Sequence, residues 1–225
     1  MKDITLTVRT MFQVVAFLLV FTTSIFLPAG TFNFWYGWAF CAVFCISTLF
    51  ITVYFLFKDP ALISRRIKSG ETRKNQKILQ SISGFMFFVG LLIIPGLDFR
   101  FSWSSVPDVI VILSDVIILI GFIIVFLVFK TNSYTSATIE VSEGQTVVTT
   151  GVYSIVRHPM YSGVVLVLVF TPLALDSLWA LIPALFICVF VALRLLDEEK
   201  LLLKELAGYK DYCEKTRYHL IPFIW

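Results

Sequence analysis

Arg194 and Glu198 stand four residues apart in the run Arg194-Leu195-Leu196-Asp197-Glu198-Glu199-Lys200. On a helix that spacing puts both side chains on one face. From there they either pair with each other or act on a ligand, the guanidinium clamping a carboxylate bidentately while Glu198 receives a cation. Further upstream, polar and special residues gather from Asn132, Ser133 and Tyr134 through Gly144, Gln145, Thr146, Val147, Val148, Thr149, Thr150, Gly151 and Tyr153. Arg157, His158, Pro159, Met160 and Tyr161 follow, just ahead of an apolar run. Proline suits the first turn of a helix, and helix N-termini present unpaired amides to anionic groups. The stretch is therefore expected to hold a polar ligand at the point where a helix begins.

The elements that must position these residues are set by hydrophobicity. Of 225 residues 58% are hydrophobic and 15% charged, with a mean hydropathy of +0.89, which leaves too little polar surface to coat a soluble globule. A helix needs about 20 mostly apolar residues to cross a bilayer. Met11 to Pro28, Phe34 to Phe57, Leu79 to Leu97 and Val109 to Phe129 approach or meet that length. A further apolar stretch, Gly163 to Leu196, is too long for one crossing and is broken by Thr171, Pro172, Asp176, Ser177 and Pro183. It reads as a helical hairpin turning near Asp176 and Ser177, with a short first arm.

The expected fold is therefore all-α and polytopic, with about six transmembrane segments. Residues 1–130 form a four-helix membrane region and residues 131–225 a catalytic region with loop, hairpin and an amphipathic tail helix at the cytoplasmic side. The first apolar segment is read as a retained helix, since no convincing small-x-small cleavage site follows it before Trp35. All Lys and Arg residues except Arg100 fall on one side of this topology, including Lys2, Arg9, the Lys58–Lys77 run, Lys130, Arg157 and the tail. The positive-inside rule then places both termini in the cytoplasm. The closing aromatic stretch from Tyr218 to Trp225 reads as an interfacial anchor.

Several chemistries are excluded by the residues themselves. There is no G-x-G, so no dinucleotide fingerprint, and no P-loop or G-x-S-x-G elbow is present. The four cysteines lack paired metal spacing, and two histidines cannot assemble a His-rich site, so no metal is expected. The net charge of +3 reports topology and membrane-surface contact rather than nucleic acid. No obligate protein partner is expected. Asp115 is the one acidic residue well inside a span, and it reads as a snorkelling or helix-bridging side chain.

Gly151-Val152-Tyr153, Arg157-His158-Pro159-Met160-Tyr161, Arg194 with Glu198-Glu199, Gly208-Tyr209 with Tyr212 and the closing Leu220-Ile221-Pro222 together resemble the isoprenylcysteine carboxyl methyltransferase family, over roughly residues 130–225. The resemblance implies S-adenosyl-L-methionine as cofactor, and methyl transfer to a lipophilic or lipidated acceptor at the membrane surface. It places cofactor contacts on Gln145, Thr146, Val147, Val148, Tyr153, His158, Pro159, Met160, Tyr161, Glu198 and Glu199. It makes Arg194 the substrate-carboxylate residue, with Arg194 and Glu198 as the catalytic pair. Members commonly carry histidine where this chain has Gln145; glutamine still offers a donor and an acceptor. Phospholipid-amine enzymes are also similar but carry a G-x-G that is missing here. The ending Tyr212-Cys213, Tyr218 and Leu220-Ile221-Pro222 is similar to sterol-reductase-type enzymes as well, which implies an alternative, NADPH-dependent activity. Gln145 to Val148 and the Arg194, Glu198 and Glu199 set favour methyl transfer.

Overall fold

The computed structural model describes residues 4–68, 74–135, 138–139, 141 and 144–225. Lys2 and Arg73 of the basic set, and residues 136–137, 140 and 142–143 of the polar stretch, lie outside the described residues. Among those described there is no strand. The α-helices are α1 (Ile4–Ala29), α2 (Trp35–Lys58), α3 (Pro60–Lys68), α4 (Lys74–Phe88), α5 (Ile94–Phe101), α6 (Asp108–Thr131), α7 (Pro159–Ala174), α8 (Leu181–Glu205) and α9 (Tyr209–Lys215).

Among the described residues, four helical stretches are long and apolar enough to cross a membrane: Ile4–Ala29, Trp35–Lys58, Gln76–Phe101 and Asp108–Thr131. The third is one continuous rod made of α4, a π-turn at Val89–Ile93 and α5. Pro95, at the start of α5, has no N–H to continue the ordinary ladder, and the wider π-turn precedes it. Gly90 in that turn lies against Pro183 of α8, where an added Cβ would meet the ring at 2.5 Å. The absence of a side chain is what lets α8 dock there.

The hairpin is formed by α7 and α8. Its bend is closed by the Ser177 amide donating to the Pro172 carbonyl, and Asp176 takes a left-handed φ of 57°. The sixteen residues of α7 rise about 24 Å, short of a full hydrocarbon thickness. Its packing on α6 is the most extensive helix contact among the described residues. Gly121 and Gly163 face each other at the crossing, and a Cβ on Gly163 would come within 2.7 Å of the Gly121 carbonyl. Small residues at a lipid-embedded crossing let backbones approach, which is where such helices find their cohesion.

A polar cluster fixes the end of the bundle away from the chain termini. Asp98 is fully buried and accepts from the Ser104 amide and hydroxyl, and from the Ser177 hydroxyl. Asp176 accepts from the Val106 amide. The hairpin bend is thereby tied to the link between α5 and α6. At the opposite end Leu201–Leu203 prolong α8, and the tail helix is the short α9 beyond the left-handed Gly208. The final residues fold back onto the loop: the Arg157 amide donates to the Tyr218 carbonyl and the His158 amide to the His219 carbonyl. Trp225 stacks on His219.

Candidate active site

The end of the bundle that carries Lys58, Arg65, Lys130 and Arg157 encloses a cavity of about 400 Å³, a size usual for a small-molecule site. The loop after α6 supplies Gln145, Thr146, Val147, Val148 and Tyr153, and the start of α7 supplies His158, Pro159, Met160 and Tyr161. Arg194 and Glu198 of α8 complete the wall. These residues, separated by up to 53 positions in the chain, are thus brought together.

Glu198 and Tyr161 define the centre. The Tyr161 hydroxyl donates to Glu198 Oε2 at 2.6 Å. Burial pushes the Glu198 carboxyl above its ordinary value, with the Tyr161 bond and the Arg194 charge acting in the opposite direction. A carboxylate stripped of water in this way gains from any cation brought into the cavity. Tyr161 is raised well above the usual phenol range, first by burial and then by the Glu198 charge, so it stays a donor.

Arg194 donates to Gln76 Oε1 at 3.4 Å, and Gln76 Nε2 donates to Asp197 Oδ2 at 2.8 Å. The amide of Gln76, itself only 4% exposed, thereby links α4 to α8 and directs the guanidinium. Spacing alone leaves open whether Arg194 and Glu198 simply close on each other. In the fold each has a further partner, Gln76 for the arginine and Tyr161 for the glutamate.

His158 is buried, and its ring Nε2 lies 3.4 Å from the Tyr209 hydroxyl. Burial lowers its pKa to about 3, with His219 and Arg157 adding repulsion, so the ring is neutral at physiological pH. Tyr153 receives a bond from Asn132 Nδ2 at 3.2 Å, while its carbonyl accepts from the Tyr212 hydroxyl at 2.7 Å. Burial raises the Tyr153 phenol to about 12.

Glu199 lies outside the cavity wall. It makes an ion pair with Arg157 at 2.9 Å and a hydrogen-bond contact with His219 Nε2 at 2.8 Å, joining α8, the loop and the tail. Arg66, Gln76, Gln80, Tyr209 and Tyr212 also line the cavity and are not among the site residues expected from the sequence. Gln76 and Arg66 sit in helices that resemble nothing specific. Tyr209 and Tyr212 belonged to the recognised pattern but read as parts of an interfacial tail.

No curated protein matches the chain. Residues 109–209 match the family model described as phospholipid methyltransferase. The match runs from α6 through the polar loop and the hairpin to the first residue of α9, so it takes in every cavity residue expected from sequence and stops short of α1–α5. Over residues 109–209 the chain is thus similar to the phospholipid methyltransferase family, the membrane methyltransferases that include the isoprenylcysteine carboxyl methyltransferase-like enzymes.

Proposed function

We propose that the chain transfers the methyl group of S-adenosylmethionine to the carboxylate of a lipophilic, prenylcysteine-like acceptor at the cytoplasmic membrane face. The observation that carries this reading is one cavity holding the Tyr161–Glu198 hydrogen bond at 2.6 Å with Arg194 one helical turn away. The donor set suits the cofactor. Glu198 offers a desolvated carboxylate to an α-ammonium, and Tyr153 and Tyr161 offer ring faces to adenine or to a sulfonium. A neutral His158 adds no positive charge against that sulfonium.

When bound, the cofactor supplies a methyl group made electrophilic by the sulfonium. The chain's own residues do the rest. Tyr161 holds Glu198 in place, and Gln76 directs Arg194, whose guanidinium orients the acceptor carboxylate. A carboxylate is already ionised near pH 7, so no general base is required. Rate then comes from alignment of the acceptor and exclusion of water. The cytoplasmic placement rests on the basic residues gathered at the cavity end, against Arg100 at the other.

The test is transfer of tritium from methyl-labelled S-adenosylmethionine to S-farnesyl-thioacetate by the purified protein. A carboxyl methyl ester releases its label as volatile methanol in mild alkali. Base-stable label, or transfer only to phosphatidylethanolamine, would assign the acceptor to amine chemistry instead.

A further inference from the structure

The segment from Tyr153 to Tyr161 is gripped from behind by residues that lie beyond the matched segment. The Arg157 amide donates to the Tyr218 carbonyl at 2.8 Å and the His158 amide to the His219 carbonyl at 3.0 Å. In the first turn of α7 the Ser162 hydroxyl donates to the Leu220 carbonyl at 2.7 Å. Three successive tail residues thus hold the chain on both sides of Pro159, whose neighbours His158, Met160 and Tyr161 line the cavity.

Side chains close this grip at one atom. His219 Nε2 lies 2.8 Å from Glu199 Oε2 of α8 and is also in hydrogen-bond contact with Arg157 Nη2. Arg157 Nε reaches Glu199 Oε1 at 2.9 Å, an ion pair without the alignment of a hydrogen bond. The Arg157 contacts to the Cys213 and Thr216 carbonyls are longer, at 3.5 and 3.4 Å. His219 is therefore where the loop, α8 and the tail meet. Its ring also stacks on Trp225, with centres 5.0 Å apart.

A guanidinium only donates and a carboxylate only accepts, while a neutral imidazole nitrogen carries either a proton or a lone pair. Nε2 can therefore bond Arg157 or Glu199, but not both at once. A glutamine amide at this place offers an oxygen to the one and an N–H to the other. A phenyl ring offers neither, yet keeps the stack on Trp225. The two replacements separate what the ring does by packing from what its nitrogen does by bonding.

We propose that His219 is a positioning residue for the cofactor loop, holding through Arg157 and Glu199 the segment that presents His158, Met160 and Tyr161 to S-adenosylmethionine. The identity of that ligand rests on the methyl-transfer reading above. A segment already held in its bound shape gives up less conformational freedom when the ligand arrives. His219 is not among the residues that line the cavity, so it acts on cofactor affinity through the loop.

The test compares the full chain in detergent with its His219→Phe and His219→Gln variants. Amide hydrogen exchange without ligand, read by mass spectrometry, reports how firmly residues 153–162 are held. Exchange there should be roughly tenfold faster in His219→Phe and no faster than wild type in His219→Gln. S-adenosylhomocysteine affinity should follow, about tenfold weaker in His219→Phe and within about twofold of wild type in His219→Gln. The ligand-free melting temperature of His219→Phe should move by less than about 4 °C, so the lost affinity is not lost folding. Exchange or affinity unchanged in His219→Phe overturns the proposal. An equal loss in His219→Gln also overturns it, assigning the effect to the ring stack. If S-adenosylhomocysteine does not bind the wild type, the methyl-transfer reading fails separately, and the exchange rates still decide whether His219 holds the loop. Should His219→Phe not fold, His219→Leu takes its place, since it also lacks the nitrogen.

Discussion

The Tyr161 hydroxyl, at the first turn of α7, donates to Glu198 Oε2, near the end of α8, at 2.6 Å. This one bond joins the two arms of the hairpin at the cavity, 37 residues apart in the chain. Glu198 also lines the cavity. Stability and binding pull in opposite directions at such a group.

The sign follows from the raised carboxyl. Between its ordinary value of 4.5 and its higher folded value, Glu198 holds more proton in the folded chain than in the unfolded one. Stability therefore falls as pH rises through that window, and the penalty is complete above it. Glu198→Gln keeps the shape and can still accept from Tyr161. The ligand-free variant should melt above the wild type at pH 7, with the difference shrinking toward pH 4.5, while S-adenosylhomocysteine affinity drops by at least about tenfold. Melting curves across this range check it, and a variant less stable than wild type at pH 7 contradicts it.

His158 gives the opposite slope. Its folded value of about 3 lies below the unfolded 6.5, so the unfolded chain binds the extra proton between them. The stability it contributes is fully present above pH 6.5 and is lost as pH falls toward 3, by up to about 1.4 kcal/mol per pH unit. His158→Gln should flatten the melting temperature profile between pH 6.5 and 5. An unchanged profile would show that the ring is not held neutral.

Glu199→Ala leaves Arg157 buried beside His219 without its carboxylate, and should destabilise the chain by about 3–5 kcal/mol. Adding His219→Ala should cost less than the sum of the two single changes, since both break one network. If Glu199 instead contacts the cofactor directly, Glu199→Gln will weaken S-adenosylhomocysteine binding with little change in melting temperature.

Gly163→Ala inserts a methyl 2.7 Å from the Gly121 carbonyl, forcing α6 and α7 apart at the cost of about 1–3 kcal/mol. Because Gly163 lies less than a turn from Tyr161, cofactor affinity should fall as well. Gly84→Ala, where nothing lies within 4 Å of the added carbon, should be neutral in both measurements.

The hairpin and its bend were legible because Pro172, Asp176, Ser177 and Pro183 interrupt an apolar run too long for one crossing. Two proposed cofactor groups, His158 and Tyr161, were legible because they belong to a compact motif at a helix start. Gln76 was not, since its partners Arg194 and Asp197 lie more than a hundred residues away and nothing local marks a glutamine as their bridge. Asp98 escaped in part for the same reason: Ser104 is near in the chain, but Ser177 reaches it only when the hairpin docks. The tail carries pairings that its composition does not reveal. Tyr218, His219 and Trp225 have the composition of a membrane anchor, but Tyr218 and His219 give their carbonyls to the loop while Trp225 stacks on His219. Composition carries no record of which backbone groups will pair.

The central claim is tested most directly by following the melting temperature of the detergent-purified chain against S-adenosylhomocysteine and, separately, NADPH. A ligand at about 100 times its dissociation constant stabilises by roughly 2.7 kcal/mol. A rise with S-adenosylhomocysteine alone, cut to about half or less in Glu198→Gln, is the result this account predicts. A rise with NADPH alone contradicts it and makes the cavity a reductase site.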